Sequence, residues 1–224
     1  MFDFLRKVLG AEPDEAVSIR RKPGTLLSSG PSKEESRKSN GLKHFFDTIP
    51  KSRGIELLDL GGANEANVNF LAEIGGKIHF VDLLGSYDRF QPQPGEGKTS
   101  LDVAREFVDE HLNFARNQFD AILGWDALEF LDIDVLHLTA PRLNEILRPG
   151  GGLLTLFHTQ GRGATVPVYR YRIQGLDTLS LEPKNTRVLP NTFNNRSLER
   201  LFADYSSVKF FLTRDNLREV IVSR

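Results

Sequence analysis

Four short apolar runs recur along the chain with helix-length segments between them: IELLDL (55–60), KIHFVDL (77–83), FDAILGW (119–125) and GLLTLFH (152–158). Each has the length of a strand with little polar alternation, the pattern of a strand buried in a parallel sheet. The segments between them carry helical spacing. Val68, Leu71, Ala72 and Ile74 mark a helix over 64–74. Leu101, Ala104, Phe107 and Val108 mark another, capped by Ser100. A third runs from Ile133 to Leu147 and is stopped by Pro149 and three glycines. A further short helix is predicted over Gly41–Ile49, and residues 85–99 read as loop. Strand–helix alternation with right-handed crossovers predicts an α/β fold, a doubly wound and mostly parallel sheet between two helical layers. Val166–Ile173 and Asp177–Leu181 read as a hairpin inserted near 163–190. A helix starting at Asn195 or Ser197 and an antiparallel terminal hairpin around Arg214–Asn216 complete the pattern.

The domain is expected to span 41–224. Before it, residues 1–40 read as an arm or linker: Phe2, Leu5, Val8 and Leu9 share one side of a short helix, followed by a stretch rich in Pro, Gly, Ser and charge. No cysteine is present, which excludes disulfides, cysteine-bound zinc and a cysteine nucleophile and makes the cytoplasm the expected compartment. No apolar run reaches the roughly 18–20 residues of a membrane span. Charge is uneven, with 11 basic against 7 acidic residues in 1–54, 7 against 17 in 55–150, and 11 against 6 in 151–224. The acidic middle argues against a nucleic-acid surface. The basic ends suit either solvated charge or an anionic partner.

The chemistry concentrates where strands end. Asp59-Leu60-Gly61-Gly62-Ala63-Asn64 follows the first strand of the alternation, where glycine admits positive φ and close approach of a ligand. A tight strand–helix turn takes glycine with or without a ligand. Asp82, 23 residues beyond Asp59, ends the next strand. An acidic residue there can accept from both ribose hydroxyls, at about the 20-residue spacing of dinucleotide sites; it can equally cap a turn.

The stretch 112–156 is more specific. Leu112-Asn113-Phe114, Phe119-Asp120, Leu128-Glu129-Phe130-Leu131 and Glu145-Ile146-Leu147-Arg148-Pro149-Gly150-Gly151 resemble the class I, Rossmann-like S-adenosylmethionine-dependent methyltransferases. That resemblance implies S-adenosyl-L-methionine as cofactor and an unidentified methyl acceptor, an anionic small molecule being the class that Arg170 and Arg172 of the hairpin suggest. It implies that the Asp59–Asn64 turn, including Gly61, Gly62 and Ala63, faces the methionine part. It places Asp82 on the ribose, Leu83 beside the adenine, and Trp125 and Asp126 at the methionine end. The turn departs from the family's D/E-x-G-x-G-x-G: with Asn64 and Glu65 in it, either Asn64 or Asn67 receives the cofactor or the pocket is lost. A non-enzymatic binding or scaffolding protein of the same fold is the alternative. Asp109 stands one residue from the place of an adenine-binding acid, within a segment of helical periodicity.

Other chemistries find no support. Five histidines (44, 79, 111, 137 and 158) show no metal-ligand spacing, and no nucleophile elbow or phosphate loop occurs. A nicotinamide dehydrogenase would need G-x-G-x-x-G. His158, ending the strand 152–158, and Asp126 are the candidate catalytic bases. The reaction itself needs alignment and desolvation, and a base only where the nucleophile must lose a proton.

Overall fold

The computed structural model describes residues 35–50, 54–90, 97–213 and 216–224, and every statement below concerns those residues. The expected helix and linker of 1–34 lie outside them. In chain order the elements are β1 (Glu35–Lys38), α1 (Asn40–Thr48), β2 (Ile55–Asp59), α2 (Glu65–Glu73), β3 (Gly76–Phe80), α3 (Leu83–Arg89) and α4 (Ser100–His111). They continue with β4 (Phe119–Trp125), α5 (Ile133–Ile146), β5 (Leu147–His158), β6 (Thr165–Gly175), β7 (Thr178–Val188), α6 (Asn195–Leu201), β8 (Ser207–Leu212) and β9 (Leu217–Ser223).

Six strands form one sheet in the order β3-β2-β4-β5-β9-β8. β2 pairs in parallel with β3 and β4, and β4 with β5. Only β9 runs against its neighbours, β5 and β8. This is the mostly parallel, Rossmann-like sheet expected. Every residue of β4, the central strand, is buried, as its largely apolar run predicts.

One face of the sheet is covered by α3, α4, α5 and α6 through a core that includes Leu58, Phe107, Phe119, Leu136, Leu143, Leu153 and Phe202. The other face is covered by the second layer of helices together with the inserted hairpin. Leu42 and Phe45 of α1 and Leu71 of α2 pack there beside Tyr171, Ile173, Leu179 and Leu181 of the hairpin. The hairpin forms a second, three-stranded sheet, β1-β7-β6. β1, inside the expected arm, supplies its edge, pairing Glu35–Lys38 with Thr178–Leu181. Buried Glu219 of β9 accepts from Gly41 N at 2.7 Å and from Arg37 at 2.9 Å, binding this segment to the main sheet.

Two local expectations need correction. Residues 85–89, the start of the stretch 85–99 read as loop, belong to α3 with Leu83 of the run 77–83, because Asp82 caps it by accepting from Gly85 N at 3.0 Å. α4 is capped by Thr99, not Ser100, in a reciprocal box with Asp102. The strand segments Asp177–Leu181 and 152–158 also extend further, to Thr178–Val188 and Leu147–His158.

The motif residues of 119–151 hold the amino ends of the strands. Buried Asp120 accepts from Arg148 Nη1 at 2.6 Å and from Glu56 N at 2.9 Å. A Cβ on Gly151 would lie 2.9 Å from the carbonyl oxygens of both Arg148 and Asp120, so only glycine passes there. Glu56 also binds His79 at 2.9 Å and Gln118 at 3.0 Å, which ties His79 into this network.

Candidate functional site

The strand order reverses between β2 and β4: β3 lies on one side of β2, and the chain then crosses to β4 on the other. Ligands of such sheets bind outside the strands' carboxyl ends at this switch point. Here that position is a cleft of about 140 Å³. Its floor is Gly61 after β2, Asp82 after β3 and Trp125-Asp126 at the end of β4; its roof is Tyr169, Arg170 and Tyr171 of β6 with Lys184 and Arg187 of β7. The hairpin sheet therefore stands over the carboxyl edge.

Asp59 ends β2 fully buried. Its Oδ1 accepts from Gly61 N at 2.9 Å and from the Trp125 indole at 2.6 Å; its Oδ2 accepts from Asn67 Nδ2 at 3.0 Å. Burial pushes its carboxyl up to about 6, and the three donors oppose that rise. Gly62 has φ +77°, and a Cβ on Gly61 would lie 2.6 Å from the indole ring. Both glycines are thus needed for the turn and for the close approach of Trp125 over it.

Trp125 itself has φ +49°, unusual for a bulky residue. Gly124 and a register shift between Leu123 and Trp125 form an irregularity at the end of β4, of the kind that re-aims side chains beside active sites. The Trp125 carbonyl accepts from Thr155 Oγ1 at 2.8 Å. The indole stacks on Tyr171, with centroids 5.0 Å apart and planes 5° from parallel.

Asp126 is buried and lines the cleft. Its Oδ2 accepts from Tyr171 Oη at 3.2 Å and Tyr169 N at 3.3 Å, and among the described residues its Oδ1 accepts nothing. Burial, then the charge of Glu129, pushes its carboxyl up to about 7. Behind it, buried Glu129 lies 2.5 Å from His158 Nδ1 and accepts from His158 N at 2.8 Å. Burial raises the Glu129 carboxyl as well.

Of the residues singled out in the sequence, Gly61, Asn64, Asp82, Trp125, Asp126 and Arg170 meet in the cleft. The others do not line it. Asp59 sits beneath the indole, and Gly62 and Ala63 shape the turn. Asn67 is fully buried and spent on protein: besides Asp59, its Nδ2 donates to Tyr171 O at 3.2 Å, and its Oδ1 accepts from Ile173 N at 2.8 Å. Asn64 caps α2 and reaches Tyr171 O at 3.4 Å. Leu83 is wholly in the core, and Leu84 takes the place at the cleft. His158 does not reach the cleft: Glu129 holds it, Tyr169 stacks on it, and its Nε2 has no partner among the described residues. Asp109 lies on α4 at another shallow site with Arg142.

Tyr169 and Tyr171 were not singled out in the sequence. Their alternation in VPVYRYRI places both on one face of a strand, but which surface that face meets is not encoded locally. Arg187 pairs with Asp88 of α3 and lies 5.9 Å over the Phe130 ring, fastening the hairpin across the cleft. Among the described residues no three His, Asp or Glu are placed to hold a metal ion, and no helix is long and apolar enough to cross a membrane.

A family model described as a methyltransferase domain matches residues 32–205. No curated protein matches the sequence. Among solved structures, the chain is similar to 1,6-didemethyltoxoflavin-N1-methyltransferase of Burkholderia thailandensis, determined with S-adenosylhomocysteine bound. The identity is 14% over 82% of this chain and 76% of that one, with a TM-score of 0.46. A SAM-dependent methyltransferase of Archaeoglobus fulgidus is 11% identical over 82% and 91%, TM-score 0.49. One of Methanosarcina mazei is 17% identical over 80% and 95%, TM-score 0.46.

Proposed function

The chain belongs to the class I S-adenosylmethionine-dependent methyltransferase family, and from that premise we propose that it moves a methyl group to an anionic small molecule held in the cleft beneath the hairpin. The observation that carries this reading is the convergence of Gly61, Asp82 and Asp126 at the switch point of the sheet.

The adenosine half of the cofactor fits the residues present. The Asp82 side chain is 51% exposed; its Oδ1 accepts from Gly85 N, and its Oδ2 is 3.9 Å from Arg89 Nη2, too long for a hydrogen bond. Oδ2 is available to a ribose hydroxyl. Leu60 and Leu84 supply apolar surface beside it. When bound, the cofactor supplies an electrophilic methyl on a sulfonium. The protein's part is to align and desolvate the acceptor. The free Asp126 Oδ1 can take the proton of an O–H or N–H acceptor, and a carboxyl raised to about 7 is suited to that exchange near neutral pH. Arg170 and Lys184 at the roof suit an acceptor bearing negative charge. With no cysteine to protect, this reading assumes a cytoplasmic setting.

The second reading, a non-enzymatic binding or scaffolding protein, draws on the small cleft and on the Asn64 and Asn67 amides already spent on protein. One titration separates the two. S-adenosylhomocysteine at 100 times its Kd adds about 2.7 kcal/mol of stability, which raises the melting temperature by about 5–10 °C for a domain of this size. Product formation from labelled S-adenosylmethionine and a panel of carboxylated and phosphorylated acceptors then identifies the substrate. No thermal response and no heat at millimolar ligand would rule out the enzyme.

A further inference from the structure

The cleft contains a contradiction: the groups that would hold the amino-acid end of the cofactor are already bound by Trp125. We infer that the Trp125 indole is a displaceable plug in the methionine subsite, so that cofactor entry must break its bond to Asp59 and lift it from Tyr171. This inference rests on the cofactor reading above.

Four observations carry it. The indole lies over Gly61 so closely that a Cβ there would be 2.6 Å from it, so it fills the cradle left by the glycine. Its N–H occupies Asp59 Oδ1 at 2.6 Å, the position from which a buried carboxylate would hold a ligand ammonium. With the indole in place the cleft measures about 140 Å³, against roughly 300–1,000 Å³ for small-molecule sites. Finally, the residue sits at φ +49° behind a strand irregularity, and backbone strain of this kind gathers at clamps and switches.

The two sides of the stack are held unequally. Tyr171 is fixed at its backbone by Asn67, which takes Tyr171 O and Ile173 N, and at its hydroxyl by Asp126. The indole has one hydrogen bond and one stacking partner. The moving part is therefore Trp125. Tyr171 and Asp126 stay as the wall on which the acceptor is positioned.

Trp125 is the only tryptophan, so its emission reports its position directly. In the full chain, adenosine fills only the nucleoside half and leaves the blue-shifted emission unchanged. S-adenosylhomocysteine shifts the emission to the red and increases quenching by acrylamide. Trp125→Phe keeps a ring in the core but removes the N–H latch; calorimetry then finds S-adenosylhomocysteine bound about tenfold tighter, the equivalent of about 1.4 kcal/mol, with adenosine affinity unchanged. Calorimetric binding of S-adenosylhomocysteine with unshifted emission, or equal affinity in Trp125→Phe, overturns the plug and leaves the cofactor reading standing. No binding to either protein overturns both.

Discussion

Asp126→Asn is the substitution in which the chemistry and the stability of the cleft separate most clearly. Burial of the ionised carboxylate raises its folded value from 3.8 to about 7. At roughly 1.4 kcal/mol per tenfold change in proton affinity, that difference costs about 4 kcal/mol once the group is ionised. The sign follows from proton binding. Between pH 4 and 7 the folded protein holds a proton that the unfolded chain has released, so the stability of the wild type falls as pH rises through that window. Below pH 4 both states are protonated and the cost vanishes.

Asparagine fits the site without rearrangement. Both protein donors, Tyr171 Oη and Tyr169 N, fall on Oδ2, so an amide oxygen can take that position while the NH2 replaces the unpartnered Oδ1. The charge near Glu129 disappears as well. Urea unfolding from pH 3.5 to 8 is then expected to show Asp126→Asn equal to the wild type at the acid end and about 2–4 kcal/mol more stable at pH 8. Asp59, also raised by burial, adds slope to both curves and cancels in the difference, whereas Glu129, coupled to Asp126 by charge, titrates more easily in the variant and adds to its advantage. Under the proposed function the same variant loses methyl transfer to acceptors that must shed a proton, while S-adenosylhomocysteine binding persists. Parallel pH profiles, with the variant less stable throughout, would refute the reasoning: the carboxylate would then be net favourable where it sits.

Asn67→Ala leaves Ile173 N, Tyr171 O and one oxygen of Asp59 without their buried partner; urea unfolding should register a loss of about 2–5 kcal/mol, and a loss below 1 kcal/mol would mean that water replaces the amide. Arg148→Ala takes the guanidinium away from the buried Asp120 carboxylate, which keeps its bond from Glu56 N, an expected loss of about 1–3 kcal/mol, while the double variant with Asp120→Ala recovers part of it in a double-mutant cycle. Additive effects there would deny the coupling. Gly61→Ala sets a methyl 2.6 Å from the indole. It should cost about 1–3 kcal/mol and red-shift the emission of Trp125, and an unshifted spectrum would show that the turn yields instead.

The sheet was legible because strands buried on both faces are mostly apolar, and the runs at 55–60, 119–125 and 152–158 are, with polar residues such as Asp59, Asp120 and His158 confined near their ends. The Phe119-Asp120 and Arg148–Gly151 motifs could be recognised for a related reason. Asp120 and Arg148 bind each other and only glycine fits at 151, so these residues serve the amino ends of the strands, away from the cleft. They indicate the fold more directly than the activity. α3 was missed because its start depends on the Asp82 carboxylate turning back to Gly85 N, a choice that a sequence of loop-forming residues also permits.

By itself, then, the sequence determined the parallel sheet, the switch point beside Asp59 and Asp82, and the family. Those are consequences of local periodicity and of residues close together in the chain. The tertiary structure decided what the cleft contains. Tyr171 is 46 positions from Trp125, and Trp125 is 66 from Asp59, yet the three form one stack over Gly61. Asn67 became a brace and His158 a buried partner of Glu129 because the hairpin sheet closed over the carboxyl edge. Which polar atoms remain free for a ligand is settled only when distant segments have taken their own hydrogen bonds, and periodicity carries no record of that competition.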